Sequence, residues 1–342
     1  MTEFWTTGVA LPRLAARLSA RAEEEGWDGM VFPDSQNLAG DVYVGLAMAA
    51  GATERLQLAT GVTNPYTRHP AVTASAIATL QAESDGRMVL GIGRGDSSLA
   101  HLGYAPASLA IFRRYLERLQ GYLRGEDVPF DEGASVDTLA LAAAPESSRL
   151  HWLRPQQPKV PVDVAATGPK VIALAAEHAE RVCFAVGADP ARMKWAIETA
   201  RAVSGDTSFG AYIPVVSHPD QETARALAAG GLASFARFSV MHGTPTGPVD
   251  EGERAVLAEI ARTYDMSGHF RSGSPQSKAL TDEFFDRFGI VGPAGYCVER
   301  LQELIGLGLD RVVVMGAAAG ADRTEAARAH QILVDEVLPE LR

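Results

Sequence analysis

Short apolar runs alternate with longer stretches of helical periodicity along almost the whole chain, and this alternation restricts the fold more than any other feature. The apolar runs are Met30–Phe32, Leu56–Thr60, Met88–Ile92, Val160–Ala165, Val182–Val186, Phe209–Val216 and Arg311–Met315, with Phe4–Val9 as a short and weak eighth. Between them, Leu11–Glu25, Pro70–Ser84, Ser108–Arg124, Pro169–His178, Pro190–Val203, Gln221–Val240, Pro293–Leu307 and Thr324–Leu338 repeat apolar residues at helical spacing. Several open on Pro, whose missing N–H costs nothing in a first helical turn. Strand then helix, repeated, is the pattern of parallel βα units. About eight units predict an α/β fold, a (β/α)8 TIM barrel, with a doubly wound open sheet as the alternative. No linker, low-complexity tract or other repeat divides the chain, so one domain is expected over residues 1–342.

Two segments break the rhythm, at about 125–158 and 242–282. The first carries Pro129, Pro145, Pro155 and Pro158; the second surrounds a short helical piece, Glu253–Tyr264. Loop insertions this long are functional lids or mobile segments in most compact domains. In a barrel they would cover the C-terminal face, where the βα loops build the site.

Composition narrows the partners. The chain has 31 Lys and Arg against 42 Asp and Glu, a formal charge of −11. That balance argues against nucleic acid and anionic membrane surfaces. Cys183 and Cys297 lie in apolar stretches without a CxxC or Cys/His cluster, so reduced buried thiols are expected, and no metal site. The N-terminus lacks the order of a signal peptide, and no apolar run is long enough to span a bilayer. A cytoplasmic protein is the expectation.

The chemically informative residues follow the C-terminal ends of the apolar runs. Asp34 is either a hydrogen-bond acceptor at the site or a helix cap. In Gly93-Arg94-Gly95-Asp96-Ser97, Gly95 and its neighbour glycine would let the backbone approach a ligand. Asp96, desolvated under a ligand, would deliver a proton. Thr167-Gly168-Pro169 opens a helix, whose free N–H groups make an anion site or an ordinary cap. His69 is a turn residue or lines the site. The other histidines show no metal spacing, and GxSxG, P-loop and GxGxxG patterns are absent.

Three segments, Leu58–Pro70 (LATGVTNPYTRHP), Leu80–Ser97 (LQAESDGRMVLGIGRGDS) and Val164–Ala173 (VAATGPKVIA), taken in this order, resemble the bacterial luciferase-like superfamily of flavin- and deazaflavin-dependent enzymes. The likeness is to its coenzyme F420-dependent branch, which includes methylenetetrahydromethanopterin reductase. It implies a (β/α)8 barrel with an insertion, a homodimer, and a ring bound at the C-terminal face. It implies a cis peptide at Gly61-Val62 forming a bulge behind the ring, with Thr63 and Asn64 near the ring edge. Asp34 would lie near the polar edge of the ring and Asp96 close to the reacting centre. Thr167, Gly168 and Pro169 would bind the cofactor phosphate. The sugar-phosphate and alcohol dehydrogenases of this branch have His after the acid of the second βα loop. This chain has Ser35, which speaks against their His-based alcohol oxidation.

The resemblance implies hydride transfer between coenzyme F420 and a small organic substrate. The alternative is an FMN-dependent monooxygenase fed by a separate reductase, and a second alternative is a flavin-free binding protein on the same barrel. The long anionic tail of F420 favours a basic exit groove, to which Arg68, Arg94 and Lys170 would contribute.

Overall fold

The computed structural model describes residues 1–131 and 135–342. Part of the first insertion, residues 132–134, lies outside the described residues. The strands are β1 (Glu3–Thr7), β2 (Gly29–Phe32), β3 (Gln57–Thr60), β4 (Met88–Ile92), β5 (Val128–Pro129), β6 (Ser147–Ser148), β7 (Val162–Ala166), β8 (Arg181–Phe184), β9 (Ser208–Ser217), β10 (Ile290–Gly292) and β11 (Arg311–Met315). β5 and β6 form a small antiparallel pair within the first insertion. The ring β1-β2-β3-β4-β7-β8-β9-β11 is parallel throughout, and β11 pairs back onto β1 to close it. This is the (β/α)8 TIM barrel that the alternation predicts.

Side chains in the strands alternate between two cores, as the two-residue period requires. Phe4, Met30, Leu58 and Leu90 point outward under the helices. Trp5, Val31, Ala59, Val89, Cys183, Tyr212 and Val313 fill the lumen. Both cysteines are buried and unbridged. The floor of the lumen is ionic. Arg311 donates to Asp163 at 2.5 Å and to Glu3 at 2.8 Å, with its guanidinium 3.8 Å from the Trp5 ring centre. Arg181 stands 3.5 Å from the other Asp163 oxygen. Two acids and two cations therefore compensate one another in a largely buried group.

Several elements differ from the sequence expectations in their bounds or have no counterpart there. β1 is the expected eighth strand, lying at Glu3–Thr7 rather than over Phe4–Val9, with Phe4 and Trp5 both fully buried. β10 has no counterpart in the expected set; it pairs with Val215–Ser217, the upper end of the ten-residue β9. Its three residues are too few to show a period. The helix Val42–Ala50 also has none in the expected set. It reads VYVGLAMAA, apolar on every side, so no amphipathic stripe marks it. Its start is fixed by Asp41, whose carboxylate accepts the N–H groups of Tyr43 and Val44.

The second insertion holds the helical piece expected there, as Glu251–Thr263, capped by a reciprocal Asp250–Glu253 capping box. Arg192, 1% exposed, donates to the carbonyls of Val186 (2.9 Å), Thr246 (3.1 Å) and Pro248 (2.9 Å) and to Ser239 Oγ (2.8 Å). Arg287 ties Asp189 to Asp250 beside it. The base of the insertion is thereby fastened to the barrel.

Candidate active site

The chain segments after β2 and β3 meet at one acid. Asp34 follows β2 and is buried; it caps no helix, because Asp41 holds that place in the following helix. The Thr63 hydroxyl donates to Asp34 Oδ2 at 2.7 Å. Burial pushes the Asp34 carboxyl above the usual carboxylate range, and the Thr63 bond and the nearby Arg68 charge offset this only in part. The Tyr43 hydroxyl, also buried, has no hydrogen-bond partner among the described residues. Arg68 lies over the Tyr43 ring at 4.5 Å and pairs with Asp41.

Thr63 is placed by the backbone. The peptide between Gly61 and Val62 is cis. Beyond it the chain returns to β4: Thr63 N–H donates to the Gly91 carbonyl, and Gly93 N–H to the Thr63 carbonyl. Gly91 permits this approach, since a Cβ there would lie 2.0 Å from the Thr60 carbonyl oxygen. Asn64 is fully buried, and its Oδ1 accepts the N–H groups of Tyr66 (3.0 Å) and Thr67 (3.1 Å). Its side chain is used to shape the loop, a role that the Asn-Pro dipeptide signals. His69 caps the helix Pro70–Glu83 with Nδ1.

Gly95, at φ +83°, turns the β4 loop toward Asp96. Asp96 pairs with Arg237, on the helix Gln221–Phe238, and both side chains are largely buried. The guanidinium of Arg237 lies 4.6 Å from the Tyr264 ring centre. The Tyr264 hydroxyl donates to Ser234 Oγ at 3.2 Å and touches His269 Nδ1. Burial, with the Arg237 and His101 charges beside it, pulls the His269 imidazole down to about 4. His101 Nε2 is buried without a partner among the described residues. Sequence reasoning missed Arg237, Tyr264 and His269, because Asp96 and Arg237 are 141 residues apart and no local pattern joins them.

On β7, the neighbour of β4, Thr167 follows the strand and Gly168 is the N-cap of the helix Pro169–His178, with Pro in its first turn. No side chain caps this helix. A Cβ built on Gly168 would meet only Thr246 Cγ2, at 3.9 Å, so its backbone is open to a ligand. An uncapped helix start with an open backbone suits a phosphate. Lys170 is exposed beside it. Arg94 is drawn inward to the Ala107 carbonyl, and Arg68 is taken by Asp41. Among the described residues no group of His, Cys, Asp and Glu could hold a metal, and no helix is long and apolar enough to cross a membrane.

The family described as luciferase-like monooxygenase matches residues 5–311. The 5,10-methylenetetrahydromethanopterin reductase of Archaeoglobus fulgidus is 30% identical over 333 residues, covering 94% of this chain and 93% of that protein. The coenzyme F420-dependent tetrahydromethanopterin reductase of Methanopyrus kandleri superposes with a TM-score of 0.75 at 22% identity, covering 100% of this chain and 99% of that one. An FMN-bound type II Baeyer–Villiger monooxygenase component from Pseudomonas putida superposes with a TM-score of 0.61 at 17% identity, covering 95% and 91%.

Proposed function

Since this chain belongs to the luciferase-like monooxygenase family, we propose that it is an oxidoreductase that transfers hydride between coenzyme F420 and a small organic substrate. The observation that carries this reading is the pairing at one barrel mouth of an uncapped helix start, at Gly168, with a buried acid of raised pKa, Asp34. Thr167, Gly168 and Pro169 would hold the anionic tail. Gly61, Val62, Thr63 and Asn64 would line the ring site, with Gly95 beside them. When bound, the deazaflavin supplies the hydride-transferring centre.

The chain itself has to supply position, dryness and a proton. Asp34 retains its proton to higher pH than a solvated carboxyl, and Thr63 fixes one of its oxygens, leaving the other to donate. Asp96 is held by Arg237, so it positions the β4 loop in the state described here.

The test is to titrate the purified apoprotein with F420 and with FMN separately, following fluorescence quenching. Tight F420 binding with weak FMN binding is the expected result. The reverse would replace this reading by an FMN-dependent oxygenase served by a reductase. Binding of neither by a folded sample would sink both.

A further inference from the structure

Beside Asp96, on the side of the second insertion, lies a pocket of about 350 Å3. Its walls are Val240, Met241, Ala261 and Met266, with Arg237 and Tyr264 as the polar members. The volume is at the lower end of ordinary ligand sites, about 300–1,000 Å3. We propose that this pocket is the subsite for a substrate bearing a carboxylate, with Arg237 as its anchor and Asp96 as an internal carboxylate that occupies the anchor until substrate arrives. This deepens the reading of the barrel mouth as a site for a small organic substrate and rests on it.

Three observations carry the assignment. First, Arg237 makes one hydrogen bond among the described residues, from Nη1 to Asp96; its other donors are uncommitted. A guanidinium holds two carboxylate oxygens with parallel N–H groups, so an incoming acid that takes the Nη1–Nη2 pair uses the free Nη2 donors and contests Nη1 with Asp96. Second, the guanidinium plane is fixed by the face of Tyr264, which is itself held by Ser234 and His269. The anchor is preorganised rather than swinging in solvent. Third, Arg237 is the one charged side chain among the described residues that line the pocket, and Val240, Met241, Ala261 and Met266 are apolar. That fits a monoanion on an apolar body better than a phosphate, for which the Gly168 helix start supplies more donors. An acid seated on Arg237 competes with Asp96 and releases its carboxylate toward the mouth.

The test uses the full chain without cofactor and follows 19F NMR titrations of 4-fluorobenzoate and of neutral 4-fluorobenzamide. Saturable binding of the benzoate, at least about tenfold tighter than the amide, is expected from one charge-assisted pair. Arg237→Met should abolish that preference. Asp96→Asn, which removes the internal competitor, should tighten benzoate binding severalfold, an effect that loss of fold cannot produce. Equal affinity for the two probes, or unchanged or weaker benzoate binding by Asp96→Asn, overturns the proposal. If Arg237→Met does not fold, as read by circular dichroism, the neutral Arg237→Gln takes its place and should lose most of the preference. F420 titration of the same samples separates the two claims: benzoate discrimination without F420 binding leaves the subsite and removes the cofactor reading, and the converse does the opposite.

Discussion

Replacing Arg192 with Met removes the fastening of the second insertion. The side chain is buried and makes four hydrogen bonds, three of them to backbone carbonyls, of Val186, Thr246 and Pro248. Met fills most of the volume but donates nothing. Each buried acceptor left unpaired costs about 1–3 kcal/mol. Part of that is returned, because no carboxylate bonds this buried cation and its desolvation is relieved in the variant. The net loss should be about 3 kcal/mol. With a urea m value of about 3 kcal/mol per molar, the unfolding midpoint falls by about 1 M. Hydrogen exchange adds the location: amides over 242–250 should lose protection first, before the barrel strands. A loss under about 1 kcal/mol, or unchanged exchange across those amides, would refute the view that Arg192 holds the insertion.

Asp34→Asn tests the acid. A carboxyl whose folded value is raised adds stability at pH below its unfolded value and loses it as pH rises through the folded value. The variant should therefore be more stable than wild type at pH 8, by urea unfolding, while turnover falls and loses its alkaline limb. His269 works in the opposite sense. Its folded value of about 4 lies below the unfolded 6.5, so wild type should lose about 2 kcal/mol between pH 7 and pH 5. His269→Asn should lose much less over that interval, as urea midpoints at the two pH values would show. Gly91→Ala forces a methyl group against the Thr60 carbonyl and should cost about 2 kcal/mol in thermal unfolding while weakening F420 in fluorescence titration.

The barrel was legible in the sequence because each βα unit writes its own period. β4 and β11 lie on the bounds that their apolar runs imply, and the Thr167-Gly168-Pro169 turn opens a helix as its Pro suggests. What escaped has a physical reason in each case. Val42–Ala50 is buried on one side and apolar on the other, so it lacks contrast. β10 is stabilised by pairing with the upper end of β9, a tertiary effect with no local trace. At the site, Asp34 stood out because it ends a strand. Its burial and its Thr63 partner depend on contacts 29 residues away. The Arg237–Tyr264–His269 group is assembled from a helix and an insertion, and only the fold brings it to Asp96.

The ionic floor of the barrel also bears on how the chain is made. Glu3 and Asp163 share a cation carried by β11, so during synthesis both acids emerge from the ribosome long before Arg311 does. Until then the growing sheet has two open edges and no neutral floor, and closing it would trap carboxylates away from water. The nascent chain therefore cannot commit to the barrel strand by strand. It has to keep its first strands soluble while nearly three hundred residues are added, and it closes in one late step when β11 slides between β1 and β9.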